Sequence, residues 1–374
     1  MKRLADSASA SADRAFADAE FSERLIAWQK RHGRHRLPWQ QTRDAYRIWL
    51  SEIMLQQTQV ATVIPYYQRF LQRFPNVAAL AQAPVEDVMA LWAGLGYYTR
   101  ARNLHRCALA VVERHGGQFP ADVELLADLP GIGLSTAAAI AAFAYGARAA
   151  ILDGNVKRVF CRVFGIEGFP GQTAVERQLW LRADALLPQQ DIEAYTQGLM
   201  DLGATVCTRS KPRCGDCPMQ ERCVALASGR TAELPARKPK KATPEKATVM
   251  LLVLHDGEIL LEQRPPMGIW GGLLSLPEMD RLGADPESDD LPAGVGSALL
   301  PFGDAHAIET LPEFVHAFTH YRLRVTPFCV RLATRADVAA QRAYAWWPLE
   351  AAVDAGLPAP VRKLVEWAKM VERG

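Results

Sequence analysis

Leu129-Pro-Gly-Ile-Gly-Leu-Ser-Thr136 joins a helical pattern that ends near Asp128 to one that begins near Thr136, and it predicts a hairpin between two helices. Gly131 and Gly133 permit a tight turn and close backbone approach. Such a turn leaves amide N–H groups and a helix N-terminus facing outward, an anion site matched to one DNA phosphate. A plain turn between helices has the same local pattern, so the flanking sequence has to decide.

On both sides the pattern is helical. Asp44–Gln59, Val85–Ala93, Thr99–His115, Thr136–Tyr145 and Val175–Leu187 repeat apolar residues at three- and four-residue spacing. Pro38, Pro65, Pro75, Pro84, Pro120, Pro170 and Pro188 punctuate them as helix breakers or first-turn residues. No strand-like alternation interrupts the run, which predicts an all-α domain over residues 21–227. Residues 228–247, with the Pro- and Lys-rich stretch Pro235–Pro244, read as an exposed linker. Beyond it Thr248–Leu254 is an apolar β-like run, Asp256-Gly257 a turn and Ile259–Leu261 a return, which together signal a hairpin. Arg322–Thr326 alternates as a half-exposed strand and Pro360–Val371 as an amphipathic helix, so residues 248–374 are expected to form an α+β domain. The chain of 374 residues is long enough for both. Residues 1–20 mix Ala, Ser and charges without an apolar core and predict a disordered tail rather than a secretory signal.

Composition narrows the classes. Hydrophobic residues make up 49% and charged residues 22%, as in a globular chain, and a formal charge of +2 provides no global field for nucleic acid. DNA affinity would have to come from local patches. The longest apolar run, Ala137 to Tyr145, falls short of the ~18 residues of a membrane span. The expectation is an intracellular, cytoplasmic protein whose thiols stay reduced.

Three features carry candidate chemistry. Helical spacing puts Ala45, Ile48, Trp49, Glu52 and Leu55 on one stripe, so Glu52 sits where an apolar residue belongs. It is either an ordinary helix-edge Glu or a desolvated acid with a raised pKa. The polar residues Gln56, Gln57, Thr58 and Gln59 follow at once. Some twenty residues beyond the hairpin, Asp153 either caps the next helix or takes part in catalysis. Finally, Cys207-x6-Cys214-x2-Cys217-x5-Cys223 gathers four of the seven cysteines. Four thiolates close around one tetrahedral metal or an iron–sulfur cluster. Zinc sites usually pair two short knuckles, and this sequence has one. The loop between the first two cysteines carries Arg209, Lys211 and Arg213, a candidate phosphate-contacting patch.

Together the hairpin, the Asp downstream and the Cys spacing resemble the endonuclease III superfamily of DNA glycosylases, and within it the adenine-removing MutY family. The strings that carry the likeness are Leu37-Pro-Trp39, Trp49–Gln59, Gly94–Tyr98, Ala101–His105, Leu152–Arg158 and Met200–Ala204. The likeness implies base-excision repair of adenine mispaired with 8-oxoguanine or guanine in double-stranded DNA, by a monomer with no membrane partner. Glu52 then matches the general acid and Asp153 the carboxylate that stabilises the positively charged sugar, with Asn155 holding the reacting groups. Gln57 and Tyr97 match residues that fill the stack when adenine is flipped out. Trp39 and Gln197 fall where the family lines its adenine pocket, and Gly131, Gly133 and Ser135 belong to the DNA-binding hairpin. The four cysteines are implied to hold a 4Fe-4S cluster. Relatives that also nick the strand carry a Lys where this chain has Ser135, so a monofunctional enzyme is implied.

Gly268–Glu278 resembles the Nudix fold, but after Glu278 the glutamate-rich run that binds Mg²⁺ is missing, which argues against nucleotide hydrolysis. In the MutY family this domain reads 8-oxoguanine with a Phe-Ser-His loop, and the sequence here is Phe318-Thr319-His320. Thr keeps the hydroxyl and adds a methyl; a strand end with a packed Phe is the plainer alternative. The competing classes are a bifunctional pyrimidine glycosylase, opposed by Ser135, and a non-catalytic iron–sulfur DNA-binding module, opposed by the presence of both carboxylates. The expected architecture is thus multidomain, an all-α helix-hairpin-helix glycosylase domain with an iron–sulfur loop followed by an α+β Nudix-like domain.

Overall fold

The computed structural model describes residues 18–238, 244–265, 268–282, 290–318, 321–336 and 343–372. Thr319, His320 and residues 1–17 lie outside the described residues. The chain divides into two units. One holds the residues up to Gln82 and Asn103–Lys240; the other holds Ala83–Arg102 and the chain from Lys241 onward. This departs from the single helical stretch expected over 21–227. Ala83–Arg102 groups with the C-terminal residues because its partners are there: Arg102 donates to the Gly271 carbonyl, and the Ala90 backbone lies beside Gly356.

Among the described residues no strand precedes Glu245, and no helix is long and apolar enough to cross a membrane. The first helix, Ala19–His32, starts inside the stretch expected as tail. Asp18 caps it by accepting from the Phe21 N–H at 3.1 Å, and Arg222 pairs with Asp18 at 2.7 Å and Glu20 at 2.6 Å. These long-range partners are invisible in the local sequence.

Phe21, Leu25, Phe160, Leu179, Tyr195 and Leu199 form the heart of this unit's core, with Phe21 and Phe160 meeting edge to face at 5.9 Å. The helix Leu134–Tyr145 is apolar on every side because it is buried on nearly every side. Its small alanines, among them Ala137, Ala138, Ala141 and Ala142, let the helix Ala45–Leu55 pack against it. Asp44 starts that second helix by accepting from the Tyr46 N–H at 2.9 Å. The helical pattern expected to run to Gln59 breaks after Leu55 and resumes at Val60. Gln57 stands between them with φ 56°, a left-handed conformation that no right-handed helix accommodates.

In the second unit β1 (Glu245–His255) and β2 (Glu258–Gln263) form the expected hairpin, pairing Leu254 with Ile259 and His255 with Glu258. Asp256 at φ 45° and Gly257 at φ 76° make its two-residue turn, which matches the twist of the strands. With β3 (Leu274–Ser275), β4 (Ala305–Thr310), β5 (Phe314–Ala317), β6 (Arg322–Leu332) and β7 (Tyr344–Pro348) they build a mixed sheet in the order β3-β2-β1-β6-β4. In it β5 also pairs β6, β7 pairs β2, and β1 runs parallel to β6. Val249, Leu251 and Val253, at alternate positions of β1, pack with Leu260, Phe328 and Val330 over the helix Leu291–Leu299. The helix Ala359–Glu372 packs on β1.

Candidate active site

The helical unit encloses an open cleft of about 2000 Å³ whose wall includes Trp39, Glu52, Gln57, Ser135, Asp153 and Gln197. With Asn155 and Arg209, which line it too, eight candidate residues from the sequence meet in one place. Glu52 projects from the helix Ala45–Leu55, which Asp44 caps. The protein packed around its carboxyl pushes its pKa up to about 8, and the charge of Asp153 pushes the same way. Asp153 is also raised by burial, but its neighbours favour the charged form. Its Oδ1 accepts from the Val156 N–H at 2.8 Å and its Oδ2 from Asn155 Nδ2 at 3.4 Å, with the Arg158 charge nearby. The causes differ at the two carboxyl groups: desolvation and a like charge act on Glu52, whereas hydrogen bonds and the Arg158 charge oppose desolvation at Asp153.

Asp153 caps the helix Gly154–Val163 and also lines the cleft. Asn155 in turn accepts from Arg158 Nη2 at 2.8 Å, and Arg158 continues to the carbonyls of Gly203 at 2.7 Å and Cys207 at 2.8 Å. Gly203 is required here, since a Cβ would stand 2.5 Å from the Cβ of Asn155. Arg158 closes the string Leu152–Arg158, yet its bridging position shows only in the fold.

Trp39 is 8% exposed, with its ring edge-on to Tyr67 at 5.3 Å, and Gln197 donates from Nε2 to Asp201 at 2.8 Å. In the hairpin, Gly131 has φ 81° and a Cβ there would lie 2.7 Å from the Asn103 Cβ. Gly133 is the N-cap of Leu134–Tyr145, and no side chain caps that helix. Ser135 Oγ accepts from the Leu152 N–H at 2.9 Å, tying the hairpin to the stretch of chain that leads into Asp153. Gly131→Ala is expected to lower stability by about 1–3 kcal/mol, from the left-handed backbone and the overlap together. A thermal melt checks it, and an unchanged Tm would mean that the turn relaxes freely.

The four cysteines line one small pocket with Val159, Leu202 and Leu226. Burial pushes the Cys217 thiol up to about 12, and Cys207, Cys223 and Cys214 add to the push, so the thiols feel one another. Arg162, 3% exposed, places Nη1 3.4 Å from Cys207 Sγ and also bonds the carbonyls of Thr208 at 2.7 Å and Arg209 at 3.1 Å. Among the described residues no three His, Cys, Asp or Glu stand at the spacing of a single ion; the fit to an iron–sulfur cluster rests on the soft donor set, the apolar pocket and the nearby guanidinium. Of the adjoining basic loop, Arg209, Lys211 and Arg213 are exposed, and Arg209 reaches the cleft wall. Arg213 donates to the Thr205 carbonyl at 3.0 Å and pairs with Asp216 at 3.3 Å.

In the second unit Tyr97 is 46% exposed with φ 50°, and Arg100 lies 5.2 Å over its ring. Phe318 follows β5 directly, stacked on Tyr321 at 4.5 Å and flanked by His316 at 4.7 Å and Trp270 at 5.6 Å.

Residues 50–184 match the HhH-GPD superfamily of base excision DNA repair proteins, residues 207–223 the iron–sulfur binding domain of endonuclease III, and residues 248–367 the NUDIX domain. Fold and site therefore define a helix-hairpin-helix DNA glycosylase of base excision repair. The chain is 33% identical over 347 residues to the adenine DNA glycosylase of Buchnera aphidicola subsp. Schizaphis graminum, spanning 92% of this chain and 98% of that protein. It is 36% identical to the human adenine DNA glycosylase, over 81% of this chain and 65% of that protein. Among solved structures a thermostable thymine-DNA glycosylase aligns with TM-score 0.51 and 29% identity, over 59% of this chain and 99% of that one. The chain belongs to the adenine DNA glycosylase family, enzymes of base excision repair that act on DNA and carry a 4Fe-4S cluster.

Proposed function

We propose that this chain hydrolyses the N-glycosidic bond of adenine mispaired with 8-oxoguanine or guanine, as a monofunctional glycosylase. The observation that carries the chemistry is the pair of half-buried carboxyl groups in one cleft, Glu52 raised to about 8 and Asp153 ringed by donors. Glu52 gives its proton to a ring nitrogen of the flipped adenine. The C1′–N9 bond then breaks, with its electron pair leaving on the base. Asp153 stabilises the cationic sugar left behind, and Asn155 holds Asp153 in place. Water adds at C1′, and the proton it loses restores the acid. Ser135 bears no amine, so no Schiff base forms with the sugar.

Trp39 and Gln197 line the base pocket, and Gln57 and Tyr97 fill the stack that adenine vacates. The left-handed backbone at both Gln57 and Tyr97 supports this, because such strain persists where function requires it. The Gly131–Gly133 turn and the uncapped helix N-terminus bind one phosphate. When bound to Cys207, Cys214, Cys217 and Cys223, the 4Fe-4S cluster supplies structure and DNA positioning rather than hydrolysis. Arg209, Lys211 and Arg213, displayed beside it, neutralise phosphates. Lys211→Ala is expected to weaken DNA binding and reduce the slope of log affinity against log salt by about 1. An unchanged slope would show that Lys211 touches no phosphate. In the Nudix-like domain the half-buried ring of Phe318, steadied by three aromatic neighbours, starts the Phe318-Thr319-His320 segment that reads 8-oxoguanine.

Single-turnover excision on duplexes with adenine opposite 8-oxoguanine, guanine or thymine tests the proposal, with strands analysed with and without alkali. Cleavage at adenine that needs alkali, is fastest opposite 8-oxoguanine and is absent opposite thymine is the expected result. Strand scission without alkali would overturn the monofunctional assignment, and equal rates opposite 8-oxoguanine and guanine would overturn the lesion preference.

A further inference from the structure

Asp201 ends the helix Ile192–Asp201 and is 0% exposed. Its Oδ2 accepts from the Arg34 backbone N–H at 2.8 Å, and its Oδ1 accepts from Arg34 Nε at 2.7 Å and Gln197 Nε2 at 2.8 Å. The chain closes tightly around this carboxylate. A Cβ on Gly33 would stand 3.0 Å from Oδ2, and the helix runs on into one π-helical turn, Leu202–Val206. Thr205 Oγ1 donates to the Asp201 carbonyl at 2.8 Å and ties that turn back. Asp201 is thus held by three donors in a tight corner of the chain.

A carboxylate paired with a guanidinium only accepts hydrogen bonds. The amide of Gln197, one helical turn earlier, must offer Asp201 its NH₂ end, which turns its carbonyl Oε1 the other way. Gln197 and Arg34 both line the cleft that Glu52 faces. We propose that Asp201 is a positioning residue that sets the hydrogen-bond polarity of the base pocket. By holding Gln197 Nε2, it presents Oε1 to the flipped base as an acceptor. That acceptor pairs with the 6-amino group of adenine and repels the 6-oxo group of hypoxanthine or guanine. A glutamine without such a partner rotates to present either end, so adenine selectivity is stored in a residue that need not touch the base. This inference rests on Gln197 facing the base, as proposed above.

The test is single-turnover excision by the full-length, cluster-containing protein, with adenine, unsubstituted purine or hypoxanthine at the same position opposite 8-oxoguanine. The unaltered protein should release hypoxanthine more slowly than purine, since purine lacks the repelling oxygen. Hypoxanthine released as fast as purine would overturn the proposal without any variant, and this arm stands even where Asp201→Ala does not fold. In Asp201→Ala no acceptor remains, so the Gln197 amide is no longer held. The ratio of adenine to hypoxanthine rates should fall about tenfold or more, the effect of relieving one buried mismatched polar contact. A merely structural loss would slow both substrates alike and leave the ratio unchanged, which would overturn the positioning role. Gln197→Leu separates the two levels. If it keeps the wild-type ratio, Gln197 does not face the base; if it loses the ratio while Asp201→Ala keeps it, only the role of Asp201 is overturned.

Discussion

Glu52→Gln should stop adenine excision, slowing the single-turnover rate by about a hundred- to ten-thousandfold, while DNA binding stays close to wild type. The amide matches the protonated acid in shape and charge, so the cleft is undisturbed, but it has no proton of suitable acidity to give. The pH dependence provides an independent check. Burial and the charge of Asp153 lift Glu52 to about 8, so the acid form prevails below that pH. Excision should therefore hold through neutral pH and decline as pH rises through about 8. A variant that excises at the normal rate, or a wild-type profile with no alkaline limb, would remove Glu52 from the mechanism.

Asp153→Asn should lower excision by about a hundred- to a thousandfold, the scale for removing a single electrostatic stabiliser of a charged transition state. The choice of Asn separates the two tasks of this residue. Asn caps helices about as well as Asp, so the helix Gly154–Val163 keeps its start and the Tm should move little. What disappears is the negative charge beside the cationic sugar. Excision lost at unchanged Tm assigns Asp153 to catalysis; excision retained would leave it a cap and nothing more.

Arg158 links the cleft to the cysteine loop, through Asn155 on one side and the Cys207 carbonyl on the other. The same loop carries the exposed basic residues. A single guanidinium thus ties Asn155, which donates to Asp153, to the loop that carries the basic residues.

The sequence by itself determined whatever depends on near neighbours along the chain. Closely spaced glycines and flanking apolar periodicity were enough for the Gly131–Gly133 hairpin, Asp256-Gly257 for the β1–β2 turn, and the Cys spacing for the cluster loop. Turn chemistry and helix periodicity are local, and these elements stand as expected. Tertiary structure decided what depends on distant partners. A left-handed residue at Gln57 ends a helix that its apolar spacing would have continued, and Ala83–Arg102 joins residues far along the chain. Whether Glu52 was an ordinary helix-edge residue or a raised acid had no answer in its own segment. Its pKa follows from desolvation by surrounding groups and from Asp153, which only the fold brings near. The orientation of Gln197 follows in the same way from Asp201 and Arg34, because an amide turns toward whichever partner the folded chain supplies.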